Sequence, residues 1–215
     1  MFRIIDKLKG YLVIKLFTIY LRYLIGFAFV FASFIKMKGE RFTSIPATEP
    51  IGYFFEAMYQ TGFYWRFLGV GQFVAGALLM SQRFSTLGAL LFFPIILNVF
   101  MITHAIDFGS GTPIITTLML AGTIYLLLWD YRKWIILFRQ DHQIKLDLTT
   151  ESADTFMTDP LWTLVAVIFI SLTAIVWIFE SKAIATWALS MITIGITAFI
   201  AGIVRHRRRM NVLTR

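Results

Sequence analysis

The stretch GQFVAGALLMSQRFSTLGALLFFPIILN, residues Gly71–Asn98, decides the fold. It holds two apolar runs that are separated only by the polar turn Ser81–Arg83. The runs continue outward to Phe63 on one side and Ile102 on the other, and about 20 apolar residues are enough for a helix to cross a bilayer. Because so short a turn can join only antiparallel neighbours, the sequence predicts a transmembrane helical hairpin.

The composition of the whole chain agrees with this hairpin. Of the 215 residues, 58% are hydrophobic and only 15% are charged, whereas soluble domains carry about 25% charged residues. This excludes a soluble globular domain. The chain has no cysteine, which excludes thiol relays and cysteine-ligated metal centres.

Four further apolar runs extend the pattern beyond the hairpin and make six spans in all, so we predict an all-α membrane protein. Its parts are a four-helix bundle and an appended two-helix hairpin. The predicted spans are Leu16–Ile35, Phe63–Met80, Phe84–Ile102, Ile114–Trp129, Leu161–Phe179 and Ala183–Val204. Around them, the sequence divides into a basic interfacial segment (1–15), the bundle (16–134), a polar cytosolic loop (135–160), the hairpin (161–204) and a basic tail (205–215).

Two local signals refine this division. Asp159-Pro160 is typical of a helix N-cap followed by its first residue, so it predicts the start of the fifth span. Residues 51–59 have the pattern of a short amphipathic helix, which either lies on the membrane surface or re-enters the membrane.

The net charge of +8 lies mostly in the ends and loops, so it indicates orientation and not a nucleic-acid partner. With six spans, one side of the membrane holds 14 lysines and arginines and the other side holds 5. The positive-inside rule therefore predicts that both termini are cytoplasmic.

Placing a charged residue within a span costs free energy, so each such residue is first considered as part of a functional site. Arg22 lies near the inner end of the first span, where it can snorkel to the interface or form a structural ion pair with Asp130. Small and polar residues form one face of each of the first two spans, and we expect these two faces to meet. The alternative is that these residues serve only to pack the helices together.

We predict a ligand site in one cavity between the first four spans. Span directions place its charged members at the outer level and its amides deeper, as in a pocket open to the outer leaflet. Its predicted lining residues are Arg66, Gln72, Asn98, His104 and Asp107.

The residues at the rim of this cavity raise two further points. Lys36 and Arg66 need a counter-charge, for which Asp107 is the nearest candidate and Glu56 the second. His104 and Asp107 are an acid–base pair or an interfacial cap, and because two residues make no metal shell we predict no metal site.

Several of these stretches resemble the DoxX/DoxD-like family of membrane proteins. They are FVFASFIKM (Phe29–Met37) with Arg22 and Gly26, the hairpin Gly71–Asn98, and TPIITTLMLAGTIYLLLWDY (Thr112–Tyr131). The resemblance covers about residues 18–134 and implies a four-helix bundle in a bacterial inner membrane. The sequence departs from the family at Ser33, where glycine is usual, at Gln72, where many members carry glutamate, and in its extra hairpin.

The resemblance also implies a function. Some family members are subunits of thiosulfate:quinone oxidoreductases, and others associate with soluble redox enzymes. We therefore expect an accessory membrane subunit of a redox system, with a quinone or another small lipophilic molecule in the bundle. It would have a soluble or membrane redox partner besides the bilayer, and any enzymatic activity would belong to the whole complex.

Two other functions are compatible with the sequence. One is a small-solute transporter or permease, for which matching Gly/Pro breaks in two helices would be typical, although the break at Pro94 has no symmetric partner. The other is a membrane scaffold that binds no ligand. Neither the substrate nor the oligomeric state follows from the sequence.

Overall fold

The computed structural model describes residues 2–106, 108, 111–134, 156–179 and 184–213. Their regular structure is entirely helical, as predicted. The described helices are α1 (Phe2–Leu8), α2 (Leu12–Lys38), α3 (Pro50–Gln60), α4 (Phe63–Met80), α5 (Ser85–Ala105), α6 (Gly111–Trp129), α7 (Tyr131–Trp134), α8 (Pro160–Ile178) and α9 (Ile184–Leu213).

Six of these helices are long and apolar enough to cross a membrane, namely α2, α4, α5, α6, α8 and α9. They correspond to the six predicted spans, so the protein is a multi-pass membrane protein. The chain forms two compact units. One contains Met1–Met80 and Phe84–Arg139, and the other contains Ser81–Arg83 and Gln140–Arg215.

The first unit is a bundle of α2, α4, α5 and α6. Its core lies at the contact of Phe29 and Phe92, whose ring centroids are 4.5 Å apart in an edge-to-face arrangement, a geometry that aromatic pairs favour. Ala75, Leu79 and Leu126 are fully buried around them. Large apolar side chains on the outward faces remain exposed, such as Leu118, and this is expected where lipid is the solvent.

Glycines allow the closest helix contacts of the bundle. A Cβ placed on Gly76 of α4 would lie 2.6 Å from the carbonyl oxygen of Gly26 on α2, and a Cβ on Gly26 would lie 2.7 Å from the carbonyl oxygen of Gly76. Since a real Cβ has no room there, α2 and α4 can approach this closely only with glycine at both positions. Small residues serve the same purpose in other membrane helix pairs.

Hydroxyl groups join further helices of the bundle. Thr18 of α2 lies 2.9 Å from the Tyr125 hydroxyl of α6, and Thr103 of α5 lies 2.8 Å from Thr116 of α6. Such bonds satisfy polar groups that would otherwise face hydrocarbon.

Turns in the chain set both ends of α2. Helix α2 runs beyond the predicted Ile35 to Lys38, where Gly39 takes a left-handed conformation (φ 74°) and ends the helix. The Glu40 amide donates to the Ile35 carbonyl at 3.0 Å, which completes a glycine cap. Helix α1 is separate from α2 because the chain turns at Lys9–Tyr11.

The second unit contains the α8–α9 hairpin. Asp159 caps α8 by accepting a hydrogen bond from the Leu161 amide at 2.9 Å, as predicted. The Trp162 indole donates to the Phe156 carbonyl at 2.8 Å. Its ring packs directly on Gly202 of α9, where an added Cβ would lie only 2.8 Å from the ring. Helix α9 continues past the predicted Val204 into the basic segment.

Candidate functional site

A loop and a short helix cover one end of the bundle, which we call the α3 end. After Gly39, residues 40–49 form the loop, and Pro50 then begins α3. Gly52 lies so close to the loop that a Cβ there would collide with the Pro46 carbonyl oxygen and lie 2.6 Å from that of Ile45. Helix α3 is therefore in direct contact with the loop, which holds the two as one cap.

A pocket of about 150 Å³ opens in this cap. An apolar cavity of about this volume can hold one benzene molecule, so the pocket is large enough for a single six-membered ring. Its lining combines aromatic and aliphatic groups with hydroxyls and one ion pair. The lining residues are Arg41, Phe42, Thr43, Ser44, Ile45, Ala47, Gly52, Phe55 and Glu56.

The ion pair joins the loop to α3 in a bidentate arrangement. Arg41 donates from Nε to Glu56 Oε2 at 2.8 Å and from Nη2 to Glu56 Oε1 at 3.0 Å, while the guanidinium lies 4.4 Å from the ring centroid of Tyr59. Hydrogen bonds from Arg41 and then Gln60 hold the pKa of Glu56 below its usual value. Exposed pairs contribute little stability, but two parallel bonds fix orientation, so the pair sets the shape of this wall.

Aromatic rings form the apolar wall. The Phe42 and Phe55 centroids are 5.1 Å apart, and Phe108 lies 6.0 Å from Phe55 in an edge-to-face contact. A flat ring entering the pocket would therefore meet aromatic side chains, with which rings pack favourably.

A buried cation lies against one ring of this aromatic group. Lys36, in the last turn of α2, is only 6% exposed. Its Nζ lies 4.3 Å from the Phe42 centroid and 5.3 Å from the Trp65 centroid, and it donates to the Ala32 carbonyl at 3.3 Å. Cation–π contacts of this kind contribute about 2 kcal/mol when desolvated.

Trp65 is itself held in place, since its indole nitrogen donates to the Glu40 carbonyl at 2.9 Å. The loop, α2 and α4 thus enclose the ammonium group from three directions.

Two of the predicted site residues lie along α4. Arg66 is exposed at the α3 end, where its guanidinium packs on Gly39, and a Cβ on Gly39 would lie 3.2 Å from Arg66 Nε and Nη2. Gln72 lies deeper and is 7% exposed. Within the described part of the chain, its buried Oε1 has no hydrogen-bond partner.

The other predicted site residues lie on or after α5. Asn98 is exposed. His104 is also exposed, with Nδ1 2.8 Å from the Phe100 carbonyl and Nε2 3.4 Å from the Thr117 hydroxyl. Asp107 lies outside the described residues. The described lining of the α3-end pocket includes none of the other four predicted residues, and a cavity shared by all five stays a prediction.

The structure also shows which residue pairs with Glu56, one of the two predicted counter-charges. Glu56 is bound on both oxygens by Arg41 and not by Lys36 or Arg66. The reason is that Arg41 follows the Gly39 turn directly and so lies beside α3.

Arg22 and Asp130 meet at the opposite end of the bundle. Arg22 Nη2 lies 2.7 Å from Asp130 Oδ2, and both residues are buried. Lys133 lies 3.2 Å from the other carboxylate oxygen. Burial raises the pKa of Asp130, but the charges of Arg22 and Lys133 outweigh this and leave it lowered. The pair ties α2 to the end of α6.

Comparison with known proteins shows a partial likeness. The chain is 36% identical over 75 residues to "Uncharacterized protein YwoB" of Bacillus subtilis. The match covers 35% of this chain and 47% of that protein, so the chain spans about half the length of this relative. No protein-family model matches the chain, and no solved structure matches it.

The sequence did not reveal the pocket, although it contained two of its signals. Pro46 and Pro50 bound a loop, and the pattern at 51–59 indicated an amphipathic helix. Nothing in the spacing indicated that Gly52 would bring this helix onto the loop, and the contact between Arg41 and Glu56 depends on that approach.

Proposed function

We propose that this membrane protein binds a small lipophilic molecule in the α3-end pocket. The observation that carries the proposal is the combination of a ring-sized volume, an aromatic wall and polar groups in one place. Ligand sites generally pair apolar walls with a few polar groups that fix orientation. The volume lies below the range of drug-sized sites, about 300–1,000 Å³, so the pocket would hold a head group while the rest of the molecule stayed in lipid.

A quinone fits this description. Its six-membered ring matches the volume, its flat face suits Phe42 and Phe55, and its carbonyl oxygens can accept from the hydroxyls of Thr43 and Ser44. On this basis the protein would be an accessory membrane subunit of a redox system, working with a soluble or membrane partner. The DoxX/DoxD-like resemblance and the ring-sized pocket support the redox part of the proposal.

The orientation of the site follows from the charge distribution. With both termini cytoplasmic, α2 runs outward and the α3 end faces the outside of a bacterial inner membrane. The pocket would then open at the level of the outer leaflet, where a lipophilic head group is available without crossing the bilayer.

The direct test is equilibrium binding of a short-chain benzoquinone to the purified protein in a neutral detergent. Ala47→Trp places an indole in the pocket and should abolish binding. Ala57→Trp is the matched control, because Ala57 is exposed on α3 and does not line the pocket. Equal binding by both variants would contradict the site, and no binding by the native protein would contradict a quinone as the ligand.

A further inference from the structure

Some of the basic residues at the α3 end form ion pairs and others do not. Lys38 lies 2.8 Å from Glu40, and Arg41 lies 2.8 Å from Glu56. Among the described residues, Lys36 and Arg66 have no carboxylate within ion-pair distance. Arg66 is exposed and therefore solvated, but Lys36 is not.

Burial makes the position of Lys36 unusual. Transfer of an ammonium out of water is costly unless the charge is paired. Within the described part of the chain, the Lys36 ammonium meets two aromatic faces and a carbonyl oxygen at 3.3 Å but no carboxylate. The Cβ of Lys36 packs on α4, 2.8 Å from where a Cβ on Gly69 would lie. This contact fixes the first carbon of the Lys36 side chain against α4.

Phe42 connects this ammonium to the pocket. One ring contacts Lys36 Nζ and also lines the cavity. Phe42 is 40% exposed, so its side chain can change rotamer without opening the core. A rotation of this ring is the movement by which the buried charge could reach a ligand in the pocket.

We propose that Lys36 is the anion-binding residue of the α3-end pocket, and that the pocket selects lipophilic molecules with an oxyanion head. A carboxylate or a phosphate in the pocket would supply the counter-charge that Lys36 lacks among the described residues. This inference rests on the proposed ligand site and, within the small lipophilic molecules proposed there, favours those with an acidic head group over neutral quinones.

The test compares two probes of equal size that differ only in charge. Binding of 4-octylbenzoate and of its neutral isostere 4-octylbenzamide is measured for the native protein in a neutral detergent. A charge-assisted hydrogen bond in place of a neutral one predicts that the benzoate binds about tenfold to a hundredfold more tightly. Equal binding of both probes would overturn the anion inference and leave the lipophilic site standing, whereas no binding of either would remove the site itself.

Variants locate the effect. Lys36→Gln and Lys36→Met both remove the charge and keep an unbranched side chain, and either should reduce the preference for benzoate to about one. Lys38→Gln is the control, because it removes a cation at the same end that already has a carboxylate partner, and it should keep the preference. A preference that survives in both Lys36 variants would overturn the inference.

Two competition experiments identify the source of the anion. Octyl phosphate competing with 4-octylbenzoate would indicate that lipid phosphates share the site, and competition by millimolar inorganic phosphate would indicate a free anion. Benzoate selectivity that persists in Ala47→Trp would place the anion outside the pocket and contradict the proposal.

Discussion

Asp130 is the residue on which the end of the bundle opposite α3 depends. Its carboxylate pairs with buried Arg22 at 2.7 Å and with Lys133 at 3.2 Å. Removing one partner of a buried pair leaves the other charge without compensation and typically costs about 3–5 kcal/mol. We expect Asp130→Asn to lower the melting temperature of the detergent-solubilised protein by several degrees.

The control for this prediction is an exposed pair on the same unit. Arg132 lies 2.7 Å from Asp6, and the two side chains are 47% and 32% exposed, so the pair should contribute less than about 1 kcal/mol. Asp6→Asn should therefore melt close to the native protein. If Asp6→Asn and Asp130→Asn lost equal stability, the central role of the Arg22–Asp130 pair would be refuted.

The same carboxylate predicts a pH dependence. Because the pKa of Asp130 is lowered in the folded protein, its stabilisation is fully present above the unfolded carboxyl's pKa of about 3.9. It is lost as the pH falls through the lower folded value. The difference in melting temperature between the native protein and Asp130→Asn should thus be constant near neutral pH and shrink below about pH 4.

Among the elements, α2 and α4 cross at very short distance where Gly26 faces Gly76. A methyl group on Gly76 would meet the Gly26 carbonyl oxygen at 2.6 Å, and this must push the helices apart. Overpacking typically costs about 1–3 kcal/mol, so Gly76→Ala should lower the melting temperature. Gly71→Ala on the same helix meets nothing within 4 Å and should leave it unchanged or raise it, since alanine favours a helix. Equal destabilisation by both changes would show that the crossing is not the cause.

The helices were predictable because their signals are local. Apolar run length located all six spans, and Asp159-Pro160 marked the start of α8. The end of α2 was placed too early, because Lys36 and Lys38 look like a polar stop whereas Lys36 is buried against aromatic rings. Only the tertiary position of Phe42 and Trp65 explains this burial.

The site was less predictable than the helices because it depends on tertiary contacts and not on local sequence signals. Arg66 and Gln72 were singled out as polar residues in an apolar helix, but the pocket is formed by a loop whose residues are individually ordinary. Arg41 and Glu56 are 15 positions apart, and only the approach of α3 at Gly52 joins them. Helix periodicity carries no information about such loop contacts.

At the scale of the whole molecule, the two compact units predict modularity. The segment between α7 and α8 is long and polar, and the bundle buries its own core around Phe29 and Phe92. A chain truncated after Lys145 should insert into the membrane and elute as a monodisperse species in mild detergent. Aggregation of this product in several detergents would show that the hairpin is needed for the bundle to fold.

The absence of cysteine makes the predicted orientation directly testable. Ser44→Cys in the cap should react with a membrane-impermeant maleimide in intact cells, because the α3 end is predicted to face outward. Asn211→Cys at the end of α9 should react only after the membrane is permeabilised. The reverse labelling pattern would contradict the orientation and place the pocket on the cytoplasmic side.

The central claim is that the α3-end pocket holds a small lipophilic molecule in the native membrane. Mass spectrometry of the lipophilic compounds that co-purify in mild detergent tests it most directly, with the native protein and Ala57→Trp compared against Ala47→Trp. We predict a compound with a single-ring or acidic head that is retained by the first two proteins and lost from Ala47→Trp. Identical spectra for all three proteins, with no such compound enriched over bulk lipid, would contradict the account.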